Sequence, residues 1–185
     1  MNTRPAEFRN QSLSIDRRIS ERREFLDFPE IVRGMKRELR CLLRGNIRLR
    51  IVARHVAGGR AKIYRGEIKD LIRHLVLDAR DAMPKGGALC ILTGNVALNA
   101  EYARTHPEVP PGKYAMLTIR DTGDRSNTAS LDPLGRDAPI RKGRSLGLAA
   151  CYNIIDQFGG HVCVSRHASE TVIKIYVPCA RSLHR

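Results

Sequence analysis

The sequence predicts an α+β two-layer sandwich, a sheet with helices packed on one of its faces. Two stretches repeat apolar residues at helical spacing, around 29–44 and 68–83, and five shorter ones have the composition of strands. The strands come in hairpin-like runs instead of strict alternation with helices, which favours helices segregated to one face. The chain of 185 residues is 42% hydrophobic and 28% charged, enough for one core and inconsistent with a wholly disordered chain.

Residues 1–27 are polar and arginine-rich, with Ile15, Ile19, Phe25 and Leu26 too sparse for a core, so they read as an arm or linker. The domain proper is expected over 28–180, with 181–185 a tail. From Pro29 to Arg44, Ile31, Val32, Met35, Leu39, Leu42 and Leu43 share a helical stripe while Arg33, Lys36, Arg37, Arg40 and Arg44 fall outside it. This is an amphipathic helix with a basic back. After Gly45-Asn46, Ile47, Leu49 and Ile51 alternate with Arg48 and Arg50, the period of a strand with one buried face.

The second helix follows from Ile68, Leu71, Ile72, Leu75, Val76, Ala79, Ala82 and Met83, and Pro84 with Gly86-Gly87 stops it. Strands are expected around Ala88–Val96 and Tyr114–Arg120, separated by an excursion through Pro107, Pro110, Pro111 and Gly112. The stretch from Asp121 to Ser145 is poor in apolar residues and reads as a long lid loop. A helix near Leu146–Gln157, a Gly159-Gly160 turn and a hairpin of 162–166 with 172–177 complete a mixed sheet.

Three places have residue types suited to chemistry. Asp70, His74 and Asp78 follow at i, i+4 and i+8 on the second helix, with Asp81 three further on, so a carboxylate and an imidazole one turn apart could hold a divalent cation. A solvated face with Lys69, Arg73 and Arg80 is the competing reading. Asp121-Thr122-Gly123 directly follows a strand, where an Asp can accept from the exocyclic amine of a base and a Gly admits a ligand to the backbone. An ordinary Asp-initiated turn has the same sequence. Gly143 to Leu148 opens a helix beside Arg141, Lys142 and Arg144, and unpaired N–H groups at a helix start attract phosphate. A flexible loop before a helix would look alike.

Together these are more specific. The run D-A-R-D-A-M-P-K-G-G from Asp78 to Gly87, then Asp121-Thr122-Gly123, then S-L-G-L-A from Ser145 to Ala149, then Gly159-Gly160-His161, resembles the ATP-binding catalytic domain of sensor histidine kinases. That family has the Bergerat fold, and the likeness runs from about Phe28 to Pro178. The resemblance implies ATP with magnesium as cofactors and Asp121 at the adenine, with Thr122, Gly123 and Thr171 also among the cofactor-binding residues. It implies His74, Asp78 and Asp81 along the nucleotide, with Asp78 in the magnesium position, and Gly143, Ser145, Leu146, Gly147 and Leu148 at the phosphates. No residue is expected to be catalytic.

The departures point to a degenerate member. The family's magnesium-binding Asn is Asp78, its Asn or acidic residue one turn earlier is His74, and the second Gly of its D-T-G-x-G is Arg125. The Phe-rich lid appears as Leu131-Asp132-Pro133-Leu134-Gly135, and residues 1–46 contain no histidine that could serve as phosphoacceptor. The expected function is a regulatory or binding protein of bacterial two-component signalling without autonomous kinase activity. The alternative is a competent ATP-binding domain that phosphorylates a histidine supplied in trans.

Charge suggests the partner. The net charge is +14, and residues 28–62 hold 10 basic and 2 acidic residues. An acidic protein, such as a response regulator or another kinase, is the expected partner. Aromatics are 5% with no Trp, so the stacking residues of a single-strand nucleic-acid binder are missing. No apolar run approaches a membrane span, and five scattered cysteines without a C-x-x-C pair suit reduced thiols, so the protein is expected in the cytoplasm with no membrane contact.

Overall fold

A computed structural model describes residues 24–43, 45–54, 59–107, 109–123, 146–167 and 169–179, with the backbone alone for 146–150. The elements run β1 (Glu24–Leu26), α1 (Phe28–Leu43), β2 (Ile47–Ala53), β3 (Ala61–Ile63) and α2 (Arg65–Asp81). There follow β4 (Gly87–Leu98), α3 (Ala100–Thr105), β5 (Gly112–Asp121), α4 (Leu146–Asp156), β6 (His161–His167) and β7 (Glu170–Pro178). Among the described residues, no helix is long and apolar enough to cross a membrane.

Five strands form a mixed sheet in the order β2-β4-β5-β7-β6. The β2–β4 pair is parallel, joined across α2, and the other pairs are antiparallel. Alternation then sorts every side chain. Leu49, Leu89, Ile119, Ile173 and Val164 fall on the face covered by helices, where they join the core stripes Ile31, Val32, Met35 and Leu39 of α1 and Ile68, Leu71, Ile72 and Leu75 of α2. Burial of each such side chain stabilises the fold by about 1.5–3 kcal/mol, so both helices are held by packing more than by intrinsic propensity. The expected two-layer sandwich is present, with α1, α2 and α4 on one face of a mixed sheet; the short α3 packs against the other face.

Three elements were not expected. β1 pairs antiparallel with β3, Glu24 opposite Ile63, and Leu26, read from sequence as part of the arm, is 2% exposed in the core. α3 lies within the excursion between β4 and β5. The Asn99 side chain caps it by accepting from Tyr102 N–H at 2.9 Å, and Tyr102 and Val109 then build a second cluster with Tyr114, Cys163 and Tyr176. In that cluster the Tyr102 hydroxyl lies 3.4 Å from Cys163 Sγ, and burial raises the Tyr102 phenol above its usual range, with the Cys163 contact second. At the end of α4, Gly159 has φ of 63°, a conformation that favours glycine, and Gly160 N–H closes the turn on Ile155 O at 3.0 Å.

Candidate functional site

Asp121 is the last residue of β5 and is 1% exposed, although its side chain is a carboxyl group. Register explains its place: it pairs with Leu89 on one side and Thr171 on the other, so its side chain falls on the helix-covered face at one end of the sheet. Thr171 is also 1% exposed. A carboxylate at such a place needs hydrogen-bond donors, and Gly123 N–H donates to Asp121 Oδ1 at 3.0 Å. The resulting turn folds the chain back against the end of α2. A Cβ on Gly123 would stand 2.7 Å from Ala82 Cβ and 2.8 Å from Ala82 O. Glycine is needed here for close approach.

Thr122 is placed differently from its neighbours. It is exposed, and its hydroxyl accepts from Ala88 N–H at 3.0 Å and lies 3.7 Å from Met83 Sδ, so it ties the start of β4 to the turn after α2. Gly87 belongs to the same joint, with Met83 Sδ 2.6 Å and Thr122 Oγ1 2.7 Å from where its Cβ would be.

The polar stripe of α2 divides along its length. Asp70 is bonded by Arg73, which also reaches Glu38 of α1, so it is spent on joining two helices. His74 is exposed. Asp78 is half-buried, and its negative charge reaches Cys151 of α4, a thiol with 0% exposure. Burial first, and Asp78 second, push the Cys151 thiol up to about 12. Asp81 is 67% exposed and accepts from its neighbour Arg80 at 2.8 Å. Of the four, Asp78 alone lies between α2 and α4; the other three face the α1 side or solvent.

The structure thus brings Asp78, Asp121, Gly123 and Thr171 to the same end of the sandwich, where α2 finishes and β5 and β7 meet. Cys151 was missed as a neighbour of Asp78, and its signal is the i, i+4 spacing with Ile155 on the buried face of α4. Gly143 and Ser145 lie outside the described residues, as do Arg125 and the rest of 124–145; Leu146, Gly147 and Leu148 begin α4, with backbone alone described. Among the described residues, no three His, Cys, Asp or Glu side chains cluster as a metal site. Magnesium on a nucleotide takes one or two carboxylates plus the phosphates, and Asp78 is the carboxylate suited to it here.

No family-level sequence profile matches the chain. The chain is 31% identical over 182 residues to sensor kinase CckA of Brucella abortus (strain 2308), which covers 95% of this chain and 19% of that protein. It thus spans about a fifth of that relative's length. Among solved structures, the catalytic domain of histidine kinase ThkA superposes with a TM-score of 0.55 at 19% identity, over 84% of this chain and 97% of that one. The mycobacterial sensor histidine kinase MprB gives 0.54 at 18% identity, over 84% and 97%. The full-length ShkA structure, solved in complex with AMPPNP, gives 0.54 at 15% identity, over 85% and 31%. Sequence similarity along nearly the whole chain and the shared architecture agree: the chain is similar in sequence to a sensor kinase and has the fold of the histidine kinase catalytic domains.

Proposed function

We propose that this domain acts in two-component signalling as a binding or regulatory module without kinase activity of its own. The observation that supports the reading is the contrast between the surroundings of Asp121 and the residue type at 78. At the base end, Asp121 is buried, oriented by Gly123 N–H and flanked by Thr171, which suits the exocyclic amine of adenine. On the side that the resemblance gives to the phosphates, this chain has the carboxylate of Asp78 where the family has an amide. A carboxylate about 5 Å from a phosphate charge costs ~3 kcal/mol at an effective dielectric of ~20, a weakening of about a hundredfold before any magnesium intervenes. Asp78 can offset this only by taking magnesium itself.

Titration of the chain with ATP and magnesium, read by calorimetry, tests the reading. Silence up to about millimolar nucleotide is expected, with binding gained in Asp78→Asn. Micromolar binding by the unaltered chain that is lost in Asp121→Ala would overturn it. That result would support the second reading, a competent ATP-binding domain that phosphorylates a histidine in trans, which the burial of Asp121 and the likeness to the AMPPNP-bound ShkA structure favour. The partner of either form is proposed to be an acidic protein, a response regulator or another kinase, met by the arginines of α1 and β2.

A further inference from the structure

We propose that the outer edge of β2 takes up an extended segment of a partner protein as an added strand, and that this segment alternates acidic with apolar residues. The proposal rests on the acidic-partner reading and supplies the element, the register and the side-chain pattern that would meet the partner.

β2 stands at one end of the sheet order, so only one of its sides is paired among the described residues. Its hydrogen-bond parity can be read from both ends. Arg54 N–H donates to Thr93 O of β4, and Asn46 O accepts from Gly87 N–H of β4. In a parallel pair the N–H and C=O of one residue point to the same side, so even-numbered residues are spent on β4 and odd-numbered ones point outward. Ala53 agrees: its carbonyl accepts from Arg33 Nη2 of α1 at 2.8 Å. The N–H and C=O groups of Ile47, Leu49 and Ile51 therefore face away from the sheet.

Side chains add the selectivity. Arg48 and Arg50 are exposed on the face opposite the helices, while Leu49 and Ile51 are half-buried on the helix side. A shallow groove lined by Arg40, Cys41, Gly45 and Arg48 runs up to the start of the strand. Arginines on an open edge repel a second copy of the same strand, the usual defence against self-pairing. The same charges attract an acidic strand. Residues of an added strand beside Arg48 and Arg50 would be acidic, and those beside Leu49 and Ile51 apolar, because successive side chains alternate between the faces. Among the described residues the only exposed large hydrophobic side chain is Phe25, so β2 offers no stacking platform for a nucleic acid.

The test titrates the isotope-labelled full chain with a blocked peptide of alternating glutamate and valine, following amide shifts and hydrogen exchange. The expected result is new protection at Ile47, Leu49 and Ile51 and none added at Arg48 and Arg50. Arg48→Glu with Arg50→Glu should weaken the peptide by about tenfold or more and admit its lysine–valine counterpart. Leu49→Pro removes an outward N–H that the sheet does not use, and should lose the protection; its far-ultraviolet spectrum checks folding, and the charge-reversed variant carries the test if it unfolds. Binding with no odd-residue protection overturns strand addition and leaves the acidic-partner reading standing. Equal binding of the lysine–valine peptide, preference for an oligothymidylate, pairing of two copies through β2, or no binding overturns both.

Discussion

Gly123 leaves no room for a side chain at the joint between α2 and β5. A Cβ there would meet Ala82 at 2.7 Å and Asp121 Oδ1 at 2.9 Å, both fixed by short tethers. Gly123→Ala should therefore destabilise the fold by about 1–3 kcal/mol, measured as a fall in the urea midpoint. It should also disturb whatever Asp121 binds, since the Gly123 N–H holds that carboxylate. The D-T-G tripeptide announced Asp121 and Gly123 as a unit, but it could not separate their tasks from that of Thr122. Only the pairing of Thr122 Oγ1 with Ala88 N–H does so, a contact across 34 positions of sequence. Helical spacing and the resemblance both put His74 and Asp81 beside Asp78, and the structure leaves both exposed. Spacing fixes the face of a helix and not what covers it, and it is Asp78 whose charge reaches Cys151 of α4.

The joint between α1 and α2 is electrostatic on its outer side. Arg73 bonds Glu38 and Asp70, and its hydrogen bond holds the Glu38 carboxyl below the usual carboxylate range. A depressed folded value means that the stabilisation is present above the unfolded value of about 4.3 and is lost as pH falls through the folded one. With side chains 36% and 40% exposed, the pair contributes about 1 kcal/mol or less. Glu38→Gln should thus lower stability slightly at neutral pH, and the difference from the unaltered chain should vanish in acid, as paired urea titrations would show. Long elements such as α1, α2, β4 and β5 were legible because their periodicity persists for ten residues or more. β1 and β3, at three residues each, and α3, at six, are too short for periodicity to rise above chance, and β1 with β3 exist only because each supplies the other's partner.

At the scale of the molecule, the early basic segment divides between two faces that meet at the groove of Arg40 and Arg48. Arg33, Lys36, Arg37 and Arg40 are exposed on α1, which packs over the helix side of the sheet, whereas Arg48 and Arg50 emerge from its opposite face. The composition of 28–62 could give the excess of charge but not its division, which depends on which face of β2 meets α1. The lower boundary of the folded unit is also set by long-range pairing. A chain beginning at Phe28 would lose Leu26 from the core and β1 from β3, and we expect it to be less stable than one beginning at Glu24 by about 2 kcal/mol or more, read from their urea midpoints.

β7 is the last strand among the described residues, yet it lies between β5 and β6 and is hydrogen-bonded to both. During synthesis, β5 leaves the ribosome long before the strand that must lie beside it, and Asp121 waits for Thr171, fifty positions later. The sheet cannot close its middle until both strands of the β6–β7 hairpin have emerged, so until then the nascent sheet carries a gap beside β5 and its candidate binding end is unfinished. Shielding of that gap by chaperones would matter more for this topology than for a fold whose strands pair in the order they are made.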